Sequence, residues 1–269
     1  MTPTEMIDSG TDSSAPAWDD ESLVSPHDDT AKAARVNRMF GEIAESYDFN
    51  NRVHSFGRDQ AWRRQAVRLA EVRRGRDVVV DVACGTGDLS FAFASAGVCE
   101  VVGIDFVPKM VEIAKRKNAE YQARRGEGVA IDFRVGDAMD LEIEDGYADI
   151  VSIAFGIRNV TDPGRAVGEF RRILRPGGRL VILEFALPRN WLMRNLYQFY
   201  FNHIMPRTAT LFSGDRSGAY KYLPRSVNTF IGSADMVRMI GEAGFVDVSV
   251  HPMTFGICIA YVGVVPAAD

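Results

Sequence analysis

The sequence predicts an α/β fold: a seven-stranded, mostly parallel sheet whose last strand is antiparallel, with helices on both faces. Three observations carry this expectation. From Asp77 onward, short β-branched runs alternate with amphipathic stretches of helical length, the pattern of a parallel sheet covered on both sides. The alternation holds through five strands and then breaks. Two closing runs, VDVSV (246–250) and GICIAYVGV (256–264), are separated by too few residues for a parallel crossover, so they pair antiparallel.

Taken in order, residues 1–31 carry eight acids and no Lys or Arg, among many Ser, Thr and Pro. Such a stretch cannot bury enough apolar surface to offset its ordering entropy, and a disordered acidic tail is expected. The remaining 32–269 form one domain, opened by a helical lid at 32–76. In the lid Phe40, Ile43 and Tyr47 recur at helical spacing, and basic residues cluster from Arg63 to Arg76 as a solvated face able to rest weakly on anionic lipid. The sheet follows: VVVDVA (78–83) and a helix at 88–96; EVVGID (100–105) and a helix at 109–124; AIDFRV (130–135); ADIVSIAF (148–155) and a helix at 163–174; RLVILEF (179–185). Pro108 suits the first turn of its helix, and Pro176-Gly177-Gly178 stops the preceding helix and turns the chain into the fifth strand. Residues 189–230 form an aromatic-rich helical insertion, and 233–243 a last helix closing at Gly244.

With 269 residues, 46% of them hydrophobic and 25% charged, the chain has the balance of a soluble globular protein. Its net charge is −5; with the acidic tail set aside the body carries +3, far below typical nucleic-acid binders, and no nucleic-acid partner is expected. The N-terminus lacks the features of a targeting signal, and the longest weakly polar run, 252–265, is too short to span a bilayer. A cytoplasmic protein is expected. Cys84, Cys99 and Cys258 form no CxxC and the four histidines no HxxxH, so neither a disulfide framework nor a metal site is expected.

The chemistry begins after the first strand, in DVACGTGDLS (81–90). Gly85 and Gly87 allow a tight turn and close approach of a ligand to the backbone. Asp105, eighteen residues beyond Gly87 at the end of the second strand, is placed to accept hydrogen bonds from ribose hydroxyls. A dinucleotide loop would need glycine at position 90, where Ser90 stands, and Asp88 would repel a pyrophosphate. S-adenosylmethionine has a ribose, no phosphate and a cationic sulfonium, which an acid-rimmed loop suits. The loop, the spacing to Asp105, GDAMDL (136–141) and the reversed last strand together resemble the Rossmann-like class I S-adenosylmethionine-dependent methyltransferases. That resemblance implies a cofactor site built from Asp81, Gly85, Thr86, Gly87, Asp105, Phe106, Asp137, Ala138 and Ala154, with Asp137 and Ala138 meeting the adenine.

Three further stretches, YDFNNRVHSFGRDQAW (47–62), AFGIRNVTD (154–162) and RRILRPGGRLVILEF (171–185), resemble the C-methyltransferase family of menaquinone and ubiquinone biosynthesis. The resemblance runs from Val36 to Val264, and AGFVDVSVHPMTFGI (243–257) is more similar to the menaquinone branch. It implies C-methylation of a polyprenyl quinol, demethylmenaquinol first and a methoxy-polyprenyl-benzoquinol as the alternative. Members usually carry Met at Asn50, His at Asp59, Ser at Ala154 and Ala186, and often His at Tyr261. A cofactor contact at 154 therefore falls to the backbone, while the glycine loop, Asp105 and Arg158-Asn159 are untouched.

Arg158 and Asn159 follow the fourth strand, at the end where ligands of open α/β sheets bind. A quinol ring carbon becomes nucleophilic when its hydroxyl ionises, yet a phenol such as Tyr ionises near pH ~10. Arginine stays protonated, so it is not the base. The expected catalytic pair is Arg158, holding the developing oxyanion directly or through a water, and Asn159, orienting the hydroxyl. His54, His203, Tyr47 and water all remain candidates for the base. In NWLMRNLYQFYFNHIMP (190–206), Arg194, Gln198 and Asn202 draw a narrow polar stripe on an apolar helix, which reads as a prenyl groove or a lipid contact at the inner face of the membrane. The competing reading is a cap helix or a homodimer contact. A small-molecule O- or N-methyltransferase, a non-catalytic cofactor-binding scaffold and a nicotinamide oxidoreductase are the rival functions, the last disfavoured by Ser90 and Asp88.

Overall fold

A computed structural model describes residues 16–125, 128–205, 207–208 and 218–267. Its centre is a seven-stranded sheet in the order β3-β2-β1-β4-β5-β7-β6. β1 (Val78–Val82), β2 (Glu100–Asp105), β3 (Ala130–Val135), β4 (Ala148–Ala154) and β5 (Leu174–Phe185) are parallel. β7 (Cys258–Val264) runs antiparallel to both β5 and β6 (Val246–Met253), as the short last connection required. The central strands are covered on both faces, so successive side chains enter different cores. Val79, Val101, Ile150 and Val181 pack with Trp62 and Phe93, whereas Val80, Val102, Val151 and Ile182 pack with Phe170 and Ile240.

The helices are α1 (Lys32–His54), α2 (Arg58–Leu69), α3 (Asp88–Ala96), α4 (Pro108–Arg125), α5 (Pro163–Ile173), α6 (Trp191–Phe199), α7 (Ala219–Thr229) and α8 (Ser233–Glu242). Pro108 opens α4, and Asp162 caps α5 by accepting the Arg165 N–H at 3.0 Å. The Pro-Gly-Gly stretch does not separate helix from strand. β5 already pairs at Leu174 with Ala148, passes through the stretch as an irregularity and resumes at Arg179 opposite Ile150. β6 runs on through Pro252, which its edge position tolerates.

Residues 16–31 depart furthest from expectation. The segment packs between α1 and α7, where Ala17, Trp18 and Leu23 are buried with Met39, Ile43 and Tyr222. Three apolar side chains in a polar stretch suffice because each enters a core already formed by the two helices. The rest of the expected tail, residues 1–15, lies outside the described residues, as do 206 and 209–217 of the insertion. The basic cluster of the lid is also not one face. Arg63 is buried on Asp59 at 2.9 Å, while Arg73 turns to Asp77 and Asp149. Neighbouring carboxylates claim both of these charges, while Arg64, Arg68, Arg74 and Arg76 remain exposed.

Candidate active site

The strand order reverses between β1 and β4, which opens a crevice at their C-terminal ends. Both strands finish in left-handed backbone, Ala83 at φ 50° and Phe155 at φ 58°. Residues with side chains adopt this region at a cost, and such strain gathers at functional sites. Gly156 permits the approach of the two strand ends, since a Cβ there would lie 2.5 Å from that of Ala83.

Two cavities open at the crevice. The first is lined by Gly85, Asp105, Phe106, Asp137, Ala138 and Ala154, six of the nine residues expected to hold the cofactor. Asp105 accepts the Gly85 N–H at 2.7 Å on one oxygen and the Val107 N–H at 2.9 Å on the other. Each oxygen keeps a lone pair for a ligand hydroxyl. Burial pushes the Asp105 carboxyl up to about 6, against the lowering effect of those two N–H groups. Asp137 accepts the Met139 N–H at 2.9 Å, which holds the β3 loop against the cavity.

Asp81, Thr86 and Gly87 are not on the cavity wall. Asp81 lies behind the loop and accepts the hydroxyls of Ser90 at 2.6 Å and Ser152 at 2.7 Å; burial pushes it up to about 6. Thr86 donates to Asp48 at 2.6 Å. Gly87 turns the chain at φ 89° with the Phe133 ring against it. These three shape the loop. The expectation that Asp88 faces a cationic ligand is corrected: its carboxylate accepts from Lys117 at 2.7 Å, Gln60 at 2.9 Å and Arg52 at 3.2 Å. Burial alone would raise its pKa, but Lys117, Arg63 and Arg52 outweigh burial and bring it to about 2.

The second cavity lies between α1, α2, α6 and α7 and is walled by Asn50, His54, Arg63, Arg158, Tyr197 and Tyr200, among others. Phe40, Tyr47 and Phe155 line both cavities and form their common wall. Arg158 sits in the 3-10 turn Ile157–Asn159 that follows β4, and it is buried. Its Nη1 donates to the Phe155 carbonyl at 2.6 Å and to Glu184 Oε1 at 2.7 Å, and Nε donates to Ser226 Oγ at 3.4 Å. Among the described residues Nη2 has no protein acceptor, which leaves one donor edge for a ligand. Asn159 instead lines the first cavity, and its Oδ1 accepts the Tyr222 hydroxyl at 2.9 Å. The adjacent pair expected to act on one hydroxyl is thus divided between two cavities.

Of the candidate bases, Tyr47 and His54 line the second cavity and the exposed His203 does not. Burial raises the Tyr47 phenol and lowers the His54 imidazole, favouring the neutral form of each. Glu184, Tyr222 and Ser226 were missed by sequence reasoning. Glu184 left a signal, an acid inside the apolar run LVILEF on the strand beside Arg158; the other two left none. The aromatic insertion is divided between the cavity and the surface. α6 continues into a π-helical turn, Tyr200–Ile204, and Tyr197, Phe201 and Met205 line the second cavity while Trp191, Leu196 and Phe199 are exposed. Among the described residues no helix is long and apolar enough to cross a membrane, and no three His, Cys, Asp or Glu side chains converge as a metal site.

The profile of the ubiE/COQ5 methyltransferase family matches residues 28–265. The chain belongs to this family. Demethylmenaquinone methyltransferase of Thermus thermophilus is 44% identical over 226 residues, 84% of this chain and 99% of the relative. Ubiquinone/menaquinone biosynthesis C-methyltransferase UbiE of Geotalea daltonii is 41% identical over 239 residues, 87% of this chain and 97% of the relative. Among solved structures, a SAM-dependent methyltransferase of Thermotoga maritima superposes with a TM-score of 0.58 at 21% identity, covering 85% of this chain and 98% of that one. Family membership makes the protein a methyltransferase, and the neighbour's fold agrees with the strand order described above.

Proposed function

We propose that the protein methylates a ring carbon of a polyprenyl quinol with S-adenosyl-L-methionine, converting demethylmenaquinol to menaquinol. The observation that carries the reading is the meeting of two unlike cavities at Phe155 and Tyr47. One presents the Asp105 carboxylate to a diol; the other is largely aromatic and is walled by two guanidinium groups, Arg63 paired with Asp59 and Arg158 with Nη2 left for a ligand. In the first, Asp105 takes the ribose hydroxyls, Asp137 and Ala138 flank the adenine, and Gly85, Phe106 and Ala154 complete the wall. Bound there, the cofactor supplies an electrophilic methyl group. The names of the relatives support the quinol acceptor.

In the second cavity, Arg158 offers Nη2 to the quinol oxygen, directly or through one water, and favours its ionised form. Glu184 balances the charge of Arg158 and sets the plane of its fork. His54, kept neutral by burial, lines the same cavity and can accept the hydroxyl proton. The common wall keeps the ring facing the first cavity, so a bimolecular displacement becomes effectively unimolecular. Asn159, held by Tyr222, acts on the cofactor side.

The apolar surface beside the second cavity suits a substrate that resides in lipid. Phe56 is 80% exposed and packs near the cavity residue Tyr200, with ring centroids 5.9 Å apart; Trp191, Leu196 and Phe199 are exposed on α6. This face rests on the inner surface of the membrane while the prenyl tail enters. Replacing Phe56 and Phe199 by Ser is expected to reduce co-sedimentation with lipid vesicles while turnover of a short-chain quinol persists; the reverse pattern defeats the membrane assignment.

Methyl transfer from labelled S-adenosylmethionine to short-chain demethylmenaquinol, to the matching methoxy-benzoquinol and to both oxidised quinones tests the activity. Turnover that requires the reduced ring and favours the naphthoquinol is expected. Cofactor binding without transfer to any of them would overturn the substrate assignment.

A further inference from the structure

The N-terminal segment makes its contacts with the elements that hold Arg158 and Asn159. Trp18 is 1% exposed and stacks on Tyr222 with centroids 4.4 Å apart, and the Tyr222 hydroxyl donates to Asn159 Oδ1 at 2.9 Å. His27 Nε2 meets the carbonyl of Ser226 at 2.9 Å, and the hydroxyl of that serine receives Arg158 Nε. Lys32, also buried, donates to the carbonyl of Val160 at 2.6 Å, directly after the turn that carries the pair. Arg225 of α7 reaches back to the carbonyls of Leu23 and Val24 at 2.9 and 3.2 Å. A Cβ on Gly218, where α7 begins, would lie 2.5 Å from the Trp18 carbonyl oxygen, so the two backbones are in close contact. The family match begins only at residue 28, which leaves Trp18 and His27 outside it.

We infer that residues 16–32 are a strap that sets the position of the Arg158–Asn159 turn, with Trp18 as a positioning residue acting through Tyr222. The inference rests on the catalytic reading of that turn for its kinetic consequence, not for the contact itself. Trp18 itself lines neither cavity and reaches the second only through Tyr222, which walls it. Its ring fixes the Tyr222 plane, the Tyr222 hydroxyl fixes the Asn159 amide, and Asn159 shares the Phe155 carbonyl with Arg158. A misplacement of about 1 Å at a reacting group can cost on the order of a hundredfold in rate.

The test is steady-state kinetics and amide hydrogen exchange on the full chain carrying Trp18→Ala, Trp18→Phe, and Trp18→Ala combined with Tyr222→Phe. Trp18→Ala is expected to lower kcat roughly tenfold to a hundredfold and to speed exchange at 157–161. Trp18→Phe retains the stack and restores most of both. With the Tyr222 hydroxyl already removed, Trp18→Ala has a smaller effect on kcat than in the parent, because the two lie on one line of contact. Gly218→Ala, which presses on the strap from the other side, reproduces the exchange change should the tryptophan variant fold poorly. Parent-like kcat and exchange in Trp18→Ala, or a fully additive double variant, overturns the strap. Absence of turnover on reduced quinols by the unmodified protein would instead defeat the substrate assignment, and exchange at 157–161 would still decide whether the strap holds the turn.

Discussion

The two ends of the central sheet treat the same side chain in opposite ways. At the N-terminal end, Asp77 and Asp149 are buried beneath arginines: Asp77 receives Arg73 at 2.6 Å and Arg179 at 3.3 Å, and Asp149 receives Arg73 at 2.8 Å and Arg175 at 3.0 Å. At the C-terminal end, Asp81 and Asp105 are as deeply buried, but among the described residues hydroxyls and backbone N–H groups are their only hydrogen-bond donors, and both are pushed up to about 6. Asp77, directly before β1, and Asp81, within it, stand four residues apart. One end is closed by ion pairs and holds the sheet together. The other keeps carboxylates uncompensated and backbone strained, at Ala83 and Phe155, around two cavities. Substitutions at the first end are expected to change stability, and those at the second to change binding and turnover.

Arg158 sharpens the contrast, because it is a buried arginine of the functional end with a carboxylate of its own, as Arg63 has Asp59. Arg158→Ala is expected to lower kcat by roughly 10²–10³ and, by leaving Glu184 buried without its partner, to destabilise the fold by about 3–5 kcal/mol. Arg158→Lys keeps the charge and loses the fork, so turnover stays low while part of the stability returns. Parent-like turnover in both variants would remove Arg158 from the chemistry.

The next contrast sets Asp77→Asn against Asp105→Asn. The first is expected to cost about 2–3 kcal/mol in urea unfolding, the loss of charged hydrogen bonds, with cofactor affinity unchanged. The second weakens cofactor binding roughly tenfold to a hundredfold, the worth of about 1.5–3 kcal/mol of hydrogen bonding to a charged group, with little loss of stability. Equal effects of both variants on binding and unfolding would erase the distinction between the ends. A pH series reads the same point more finely. The ribose hydroxyls favour ionised Asp105, so affinity is expected to fall as pH drops below about 6, by about tenfold per unit, and Asp105→Asn to abolish that slope.

What could be read from the sequence divides along physical lines. Strand alternation, the reversed last strand, the glycine loop, Asp105 and the position of Arg158 after β4 are local or topological, and each left a periodic or spacing signal. The charge partners left none. Asp88 looked like a free acid at a loop because Lys117, which neutralises it, comes from α4, twenty-nine residues on. The acidic tail looked disordered because its apolar residues are few and scattered, and the worth of Ala17, Trp18 and Leu23 depends on a groove built by α1 and α7. Asn159 was expected beside Arg158 on one hydroxyl, yet a single turn of 3-10 helix sends the two side chains to different cavities.

Asp81 allows the smallest and most direct test of what an uncompensated carboxylate costs. Its pKa is about 6 in the folded state, raised by burial despite the hydroxyls of Ser90 and Ser152, against an ordinary aspartate value of 3.8 when unfolded. The folded protein therefore binds the proton more tightly. The contribution of Asp81 to stability is fully present below the unfolded pKa and is lost as pH rises through the folded one. Over the window from pH 4 to pH 6 the loss is on the order of 2 kcal/mol. Urea unfolding of the cofactor-free protein and of Asp81→Asn across that range isolates this group, because every other titration is common to both. The parent is expected to lose stability relative to Asp81→Asn as pH rises. A parent-to-Asp81→Asn difference that stays flat, or grows with pH, would mean that this carboxylate is compensated after all and that the two ends of the sheet are more alike than their partners suggest.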